Sequence, residues 1–348
     1  ALLATIAAAG MATWWAHQRL FVPFRTDPSP VTTVSIPAGE PATQILRHLQ
    51  RAGVLADARL ARLYLVYRLG NPPLKAGEYE FREPLPAPAV LQRLIRGDVV
   101  THPVTLVDGL TIEDTASALA TAGFGAPAQF LPLMQSPELV SDLDPRADSL
   151  EGYLFPDTYR FARNTPPRDI VRTLVETFKR HYRDEIQPLL TEKGGSRSVH
   201  AVVTLASIVE KEAALDSERP IIAAVYRNRL KRDIALYADP TVIYALRLAG
   251  TWDGNLTRTD LQIDSPYNTY RYPGLPPGPI CSPGLASLRA AAAPAAVPYL
   301  YFVSRNDGSH VFASTLREHN RNVARWQKRY WRERWARERA DSAPKDRH

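Results

Sequence analysis

Ser198-Val-His-Ala-Val-Val-Thr-Leu-Ala-Ser-Ile-Val-Glu-Lys-Glu212 is the run from which the rest of the chain can be read. Its apolar residues Val202, Leu205, Ile208 and Val209 recur at helical spacing. Glu212 lies three residues after Val209, four after Ile208 and seven after Leu205, so a carboxylate extends the apolar stripe. Lys211 points away from that stripe. Glu210 lies well around the helix, because residues two apart do not share a face. Burial among aliphatic side chains disfavours a charged carboxylate and raises its pKa. A carboxylic acid still protonated near neutral pH is what a general acid needs to be. The competing reading is a helix-end glutamate paired with Arg219 or Arg229.

Beyond Ala214 the chain turns and re-enters a helix at Pro220, with Ser217 as the expected N-cap. Ile221, Ala224, Val225 and Leu230 line one side of it. Asp239-Pro-Thr-Val-Ile-Tyr244 then opens another apolar segment. Asp239 is a candidate orienter or hydrogen-bond acceptor; an Asx turn ahead of proline is its structural alternative. Two aromatic, proline-rich stretches, residues 150–161 and 264–279, read as stiff loops displaying rings and amides. Such loops suit carbohydrate faces, and equally suit turns packed by aromatics.

Upstream lies an internal repeat. Val34-Ser-Ile-Pro-Ala-Gly39 matches Val104-Thr-Leu-Val-Asp-Gly109 at an offset of 70, which also pairs Leu49 with Leu119 and Gly53 with Gly123. Each copy reads as a short strand, a glycine turn and an amphipathic helix ending at glycine. Between them, Leu74 to Phe81 reads as a strand, and residues 87–96 as a helix started by proline. This small α+β module resembles the LysM type of glycan-binding domain; a structural spacer fits as well. Residues 22–30 form a proline-rich linker, and Ala1 to Ala16 carries no charge. With Trp14 and Trp15 at its end, that run is expected to be a single-pass membrane anchor, although a span needs roughly 20 apolar residues. No small-x-small cleavage site precedes Phe21.

The 348 residues are 45% apolar and 23% charged, enough for real cores. A net charge of +7 favours an anionic neighbourhood. No helix-turn-helix, zinc or RNP pattern supports nucleic acid as the partner. Cys281 is the single cysteine, which excludes an internal disulfide and a cysteine-based metal site. The Arg325 to Arg339 stretch interleaves basic residues with Trp326, Trp331 and Trp335, as a solvated or surface-binding tail helix would.

Several of these runs carry a family resemblance. Leu205-Ala-Ser-Ile-Val-Glu-Lys-Glu212 with Glu218-Arg219, Asn228-Arg-Leu230, Asp239 to Tyr244, Tyr267-Asn-Thr-Tyr270, Gly274-Leu-Pro-Pro277 and Gly308-Ser-His-Val-Phe312 stand in one order, closed by His319-Asn320. Together with Leu150 to Phe161 they resemble the endolytic murein transglycosylase (MltG, YceG-like) family over nearly the whole chain. The resemblance implies an α+β protein organised as an anchor (1–21), a linker (22–30), a LysM-like module (31–103), a catalytic domain (104–330) and a basic tail (331–348). It implies an inner-membrane protein with its bulk in the periplasm, working near peptidoglycan synthases and cutting MurNAc–GlcNAc bonds of nascent strands without cofactor or metal. It makes Glu212 the catalytic acid/base, with Glu210 as the fallback. Asp239, Tyr244, Tyr267, Asn268, Tyr270, His310 and Asn320 become substrate-binding candidates. The chain departs from the family at Tyr237-Ala238, where an amide and a hydroxyl are usual, at Ala213, and at Ser309. A hydrolytic muramidase, with Asp239 or Asp157 as second carboxylate, and a non-catalytic glycan-binding scaffold are the rival readings.

Overall fold

The computed structural model describes residues 2–26, 31–192, 198–329 and 332. The chain divides into two compact units. One holds residues 1–104, 122–124 and 159–166, the other residues 105–121, 125–158 and 167–348. The basic tail expected at 331–348 lies outside the described residues, apart from Arg332.

In the first unit, helix α1 (Leu2–Phe21) precedes strand β1 (Thr32–Ile36), helices α2 (Ala42–Arg51) and α3 (Ala58–Tyr67), strand β2 (Gly77–Phe81) and helix α4 (Ala87–Arg96). Thr32, Val34 and Ile36 alternate inward along β1, and Tyr79 and Phe81 do so along β2. The strands pair antiparallel with Val34 opposite Tyr79, giving one apolar face that the helices cover. Leu46, Leu49, Leu65, Val90, Leu91 and Leu94 bury completely against it. Asp57 caps α3 by accepting from the amides of Arg59 and Leu60. Gly97 closes α4 in the left-handed region.

Strand β3 (His102–Thr105) opens the second copy of the repeat and pairs with β4 (Thr158–Phe161), so the aromatic stretch at 150–161 ends in a strand rather than being loop throughout. Gly39, Gly53, Gly109 and Gly123 all have positive φ, so the offset of 70 residues is carried by backbone geometry as well as by sequence. Helices α5 (Ile112–Thr121) and α6 (Pro127–Met134) follow.

Helices α7 (Pro167–His181), α8 (Gln187–Glu192), α9 (Val199–Glu212), α10 (Arg219–Leu230), α11 (Asp239–Leu248) and α12 (Leu285–Ala292) build the second unit. A hairpin of β5 (Tyr301–Ser304) and β6 (His310–Ala313) and helix α13 (Leu316–Val323) complete it. Helix α9 is its axis. Ser198 caps it, and every residue from Val202 to Val209 is buried under α10, α11 and α12. The expected single stripe is thus a helix buried on every side, Thr204 and Ser207 included, as central helices are. The Ser207 hydroxyl, donating to the Thr204 carbonyl, also accepts from the Ile280 amide and ties the 264–279 loop's exit to α9.

One expectation is corrected. Ser217 does not cap α10: a 3-10 turn over Asp216–Glu218 leads directly into the helix, and no side chain caps it. The anchor reading for α1 gains no support, since among the described residues no helix is long and apolar enough to cross a membrane. His17, Gln18 and Arg19 occupy the last turns of α1.

Gly152 (φ +87°) has no room for a side chain: an added Cβ would sit 2.5 Å from Pro279 Cβ and 2.9 Å from Val203 Cγ1. Gly152→Ala should therefore cost on the order of 3 kcal/mol, combining backbone strain with overpacking. Gly250→Ala, with φ +68° and nothing within 4 Å, meets the backbone strain alone. Urea melts showing equal losses for the two variants would contradict this packing.

Candidate active site

Glu212 ends α9, and the elements around it decide its chemistry. From α10, the Tyr226 hydroxyl donates to Glu212 Oε1 at 2.9 Å. Tyr226 itself is fully buried, its ring edge-on to Phe302 of β5. Among the described residues no cation pairs with Glu212. Arg219 pairs with Glu210 and with Asp216, both at 2.9 Å, and accordingly the two candidate glutamates are treated differently. Glu210 also accepts from the Gly284 amide at 2.9 Å, while Arg219 donates to the Ser287 hydroxyl. Its carboxylate is neutralised and fully bonded, a structural pairing. Arg229 donates to the Leu300 and Leu236 carbonyls, so only its field reaches Glu212.

Burial is the main influence on Glu212, pushing its pKa up to about 7. The Tyr226 hydrogen bond opposes this, the Asp239 charge reinforces it, and the Arg229 charge lowers it again. Glu212 remains partly exposed, so the acid is open to a substrate.

Asp239 begins α11 and accepts from the Tyr270 hydroxyl at 2.5 Å. Thr269 fixes that meeting: its carbonyl accepts from the Tyr237 amide and its hydroxyl from the Ala238 amide. Tyr237 has φ +49°, a strained value for an aromatic residue. Its ring is half exposed, edge-on to Tyr270 at 5.3 Å and beside the Arg229 guanidinium. The family departure at this position thus presents a ring next to Asp239.

The other sequence candidates fall in separate places. Tyr244 donates to Glu151 Oε2 at 3.2 Å and packs against the Tyr267 ring at 4.9 Å. Burial raises the Tyr267 pKa to about 12. Asn268 is fully buried and spends its amide on the Leu261 and Ile263 carbonyls, shaping the loop that carries Tyr270. His310 meets Glu218 through both its backbone amide (2.9 Å) and Nδ1 (2.6 Å), fastening β6 to the turn after α9. Asn320 is exposed on α13, whereas its neighbour His319 stacks on Tyr301, whose ring also receives Arg229. Asp157 bonds its own strand start at Thr158. Among the described residues no group of three His, Cys, Asp or Glu could hold a metal ion.

Sequence reasoning missed Tyr226 and Glu151, marked Tyr237 only as a departure from the family, and weighed Arg229 only as a partner for Glu212. A tyrosine inside an apolar helical run was a usable signal for the first, because a buried hydroxyl must find a partner. Glu151 had a similar one, an acid inside Leu150 to Phe155. It is 4% exposed, accepts from the Ile112 amide, and burial pushes its pKa up to about 8. It is therefore neutral at pH 7. A carboxyl raised in the folded state contributes stability that is fully present below its unfolded value and lost as pH rises through the folded one. Thermal stability should fall between about pH 4.5 and 8 because of this group, and Glu151→Gln should flatten that fall. Parallel pH–Tm curves for the two proteins would contradict a neutral Glu151.

The YceG-like family model matches residues 34–325. An endolytic murein transglycosylase of Bacillus subtilis is 32% identical over 321 residues, covering 87% of this chain and 86% of the relative. One from Streptococcus pneumoniae is 30% identical over 336 residues, and the match spans 60% of that longer protein. The crystal structure of a YceG-like protein from Listeria monocytogenes superposes with a TM-score of 0.56 at 34% identity, covering 84% of this chain and 98% of that one. With most of the chain matched by the family model and by relatives of this similarity, the chain belongs to the YceG-like family.

Proposed function

We propose that this protein is an endolytic lytic transglycosylase that cuts the β-1,4 bond between MurNAc and GlcNAc inside nascent peptidoglycan strands. The observation that carries the proposal is the Glu212 carboxyl, partly exposed, with no cation paired to it among the described residues and a pKa of about 7. The names borne by its relatives support the same activity. Protonated Glu212 donates to the glycosidic oxygen as an oxocarbenium-like centre develops at C1 of MurNAc. The same carboxylate then takes the proton from the MurNAc C6 hydroxyl, whose oxygen closes on C1 to leave a 1,6-anhydro end. One residue serves as acid and then base, where ordinary glycosidases divide the work between two carboxylates. Tyr226 steadies the ionised form midway, and Asp239 with Tyr270 orients the sugar. Tyr237 offers a ring to its apolar face.

In this reading the enzyme works in the periplasm at the inner membrane, terminating strands as peptidoglycan synthases extend them, and needs neither cofactor nor metal. The β1-α2-α3-β2 order of the first unit favours a LysM-like glycan-binding role for it. A muramidase is the second reading, because the charge of a further carboxylate, Asp239, is felt at Glu212.

Digestion of purified peptidoglycan, followed by mass spectrometry, should yield anhydro-muramyl ends, and Glu212→Gln should reduce them by about 100-fold or more. Reducing ends would replace the proposal with the muramidase. The alkaline limb of the activity profile should lie near pH 7, where the acid loses its proton. Tyr226→Phe removes a bond to the ionised form and should move that limb upward. Asp239→Asn removes a negative charge and should move it downward. Shifts of the opposite sign would exclude Glu212 as the group reported.

A further inference from the structure

A groove of about 790 Å3 lies within the first unit, between α2 and α3. Its walls carry Arg47 and Arg51 from α2 and Arg59 and Arg62 from α3. Against these four guanidiniums stands one carboxylate, Asp57, whose side chain is already committed to capping α3. Among the described residues no ion pair engages any of the four arginines. Arg47 reaches only the Thr43 carbonyl, and Arg62 only the Asn71 side chain, at 2.5 Å. Four uncompensated cations on two packed helices repel one another, an arrangement that an anionic ligand relieves.

The surroundings of the groove select the kind of anion. Arg59, Leu63 and Tyr67 follow one another at helical spacing of four on α3. Leu63 is 52% exposed and Tyr67 83% exposed, so the cationic groove continues into an apolar, aromatic edge. Helix α1 joins α3 on another side. The Arg19 guanidinium donates to the Ala56 carbonyl at 3.1 Å, and Phe21 meets Tyr64 edge-on at 5.8 Å. Leaving from there, α1 exposes Ile6, Met11, Trp14 and Trp15. Arginine at the level of a phosphate, with leucine and tyrosine one step deeper, is how an interfacial protein surface meets lipid. Stem-peptide carboxylates would use the arginines but give no role to Leu63, Tyr67 or the exposed face of α1.

We infer that this groove binds the phosphate headgroups of anionic phospholipid, setting the first unit against the membrane surface while α1 meets the acyl region. The arginine groove then supplies the preference for anionic membranes. The inference does not depend on the transglycosylase reading.

Co-sedimentation of the full chain with vesicles tests it. Vesicles of phosphatidylglycerol and phosphatidylcholine in equal parts should bind the protein more tightly than phosphatidylcholine alone, and salt should erase the difference. The double variant Arg51→Gln, Arg59→Gln should lose affinity for the anionic vesicles by about fivefold per arginine. Its affinity for neutral vesicles and its cutting of peptidoglycan in solution should be unchanged. The charge-keeping pair Arg51→Lys, Arg59→Lys should retain most of the anionic preference, which separates loss of charge from loss of fold. Equal binding of the glutamine variant and the parent to anionic vesicles would overturn the inference. So would loss of sacculus retention with vesicle binding intact, since the occupant would then be a stem-peptide carboxylate. Competition by inorganic phosphate without any preference for anionic vesicles would overturn it as well.

Discussion

The bond from the Tyr226 hydroxyl to Glu212 is the contact on which the site depends, because it takes the place a cation would otherwise fill. A guanidinium there would hold the carboxyl ionised and end its use as an acid. A hydroxyl favours the ionised form less than a guanidinium would, and burial outweighs it. Keeping cations away takes a good deal of structure. Arg219, the nearest basic residue in sequence, is drawn to Glu210 and Asp216 and anchored by Ser287. Arg229 is turned to two backbone carbonyls and stacked near Tyr301. Tyr226 is held in turn by Phe302 on the β5–β6 hairpin, and the hairpin by the Glu218–His310 pair. Four of these links, Arg219 to Ser287, Arg229 to Leu300, Tyr226 to Phe302 and Glu218 to His310, are long in sequence and short in space.

That difference in range separates what the sequence revealed from what it did not. The extents of α9 and α4 and the glycine turns of the repeat are local properties, and periodicity with turn chemistry was enough to find them. Glu212 was singled out for lying on a stripe, yet α9 is buried on all sides from Val202 to Val209. What tells Glu212 from Glu210 is the partner each one meets, and Arg219 could have gone to either on sequence grounds alone. Ser217 had the right chemistry for a cap, but the 3-10 turn took the chain into α10 without one. The apolar start of α1 runs into His17, Gln18 and Arg19 within the same helix, and among the described residues no helix is long and apolar enough to cross a membrane. Asn268 and His310 stand in motifs rich in sugar-binding residue types, and packing commits both to holding loops in place.

Two buried acids also show how one fold sets carboxyls to different ends. Glu151 is closed off, bonded by Ile112 and Tyr244, and raised further than Glu212. Glu212 is partly exposed and has a pKa of about 7, the value that favours proton transfer in both directions near neutral pH. The strained backbone of Tyr237 lies beside the Tyr270–Asp239 contact, and strain is commonly kept for function. Stability is given up at both places, and the all-round burial of α9 supplies the rigidity that lets them persist.

The most direct test is the protonation of Glu212 itself. Carbon-13 NMR of the side-chain carboxyls, in protein labelled at glutamate, follows each group through a pH titration, and Glu212→Gln identifies the resonance. The account predicts a midpoint near pH 7 for that resonance. A midpoint near the ordinary glutamate value of about 4.3 would mean that the carboxyl is ionised at neutral pH, and the acid role assigned to it would fall.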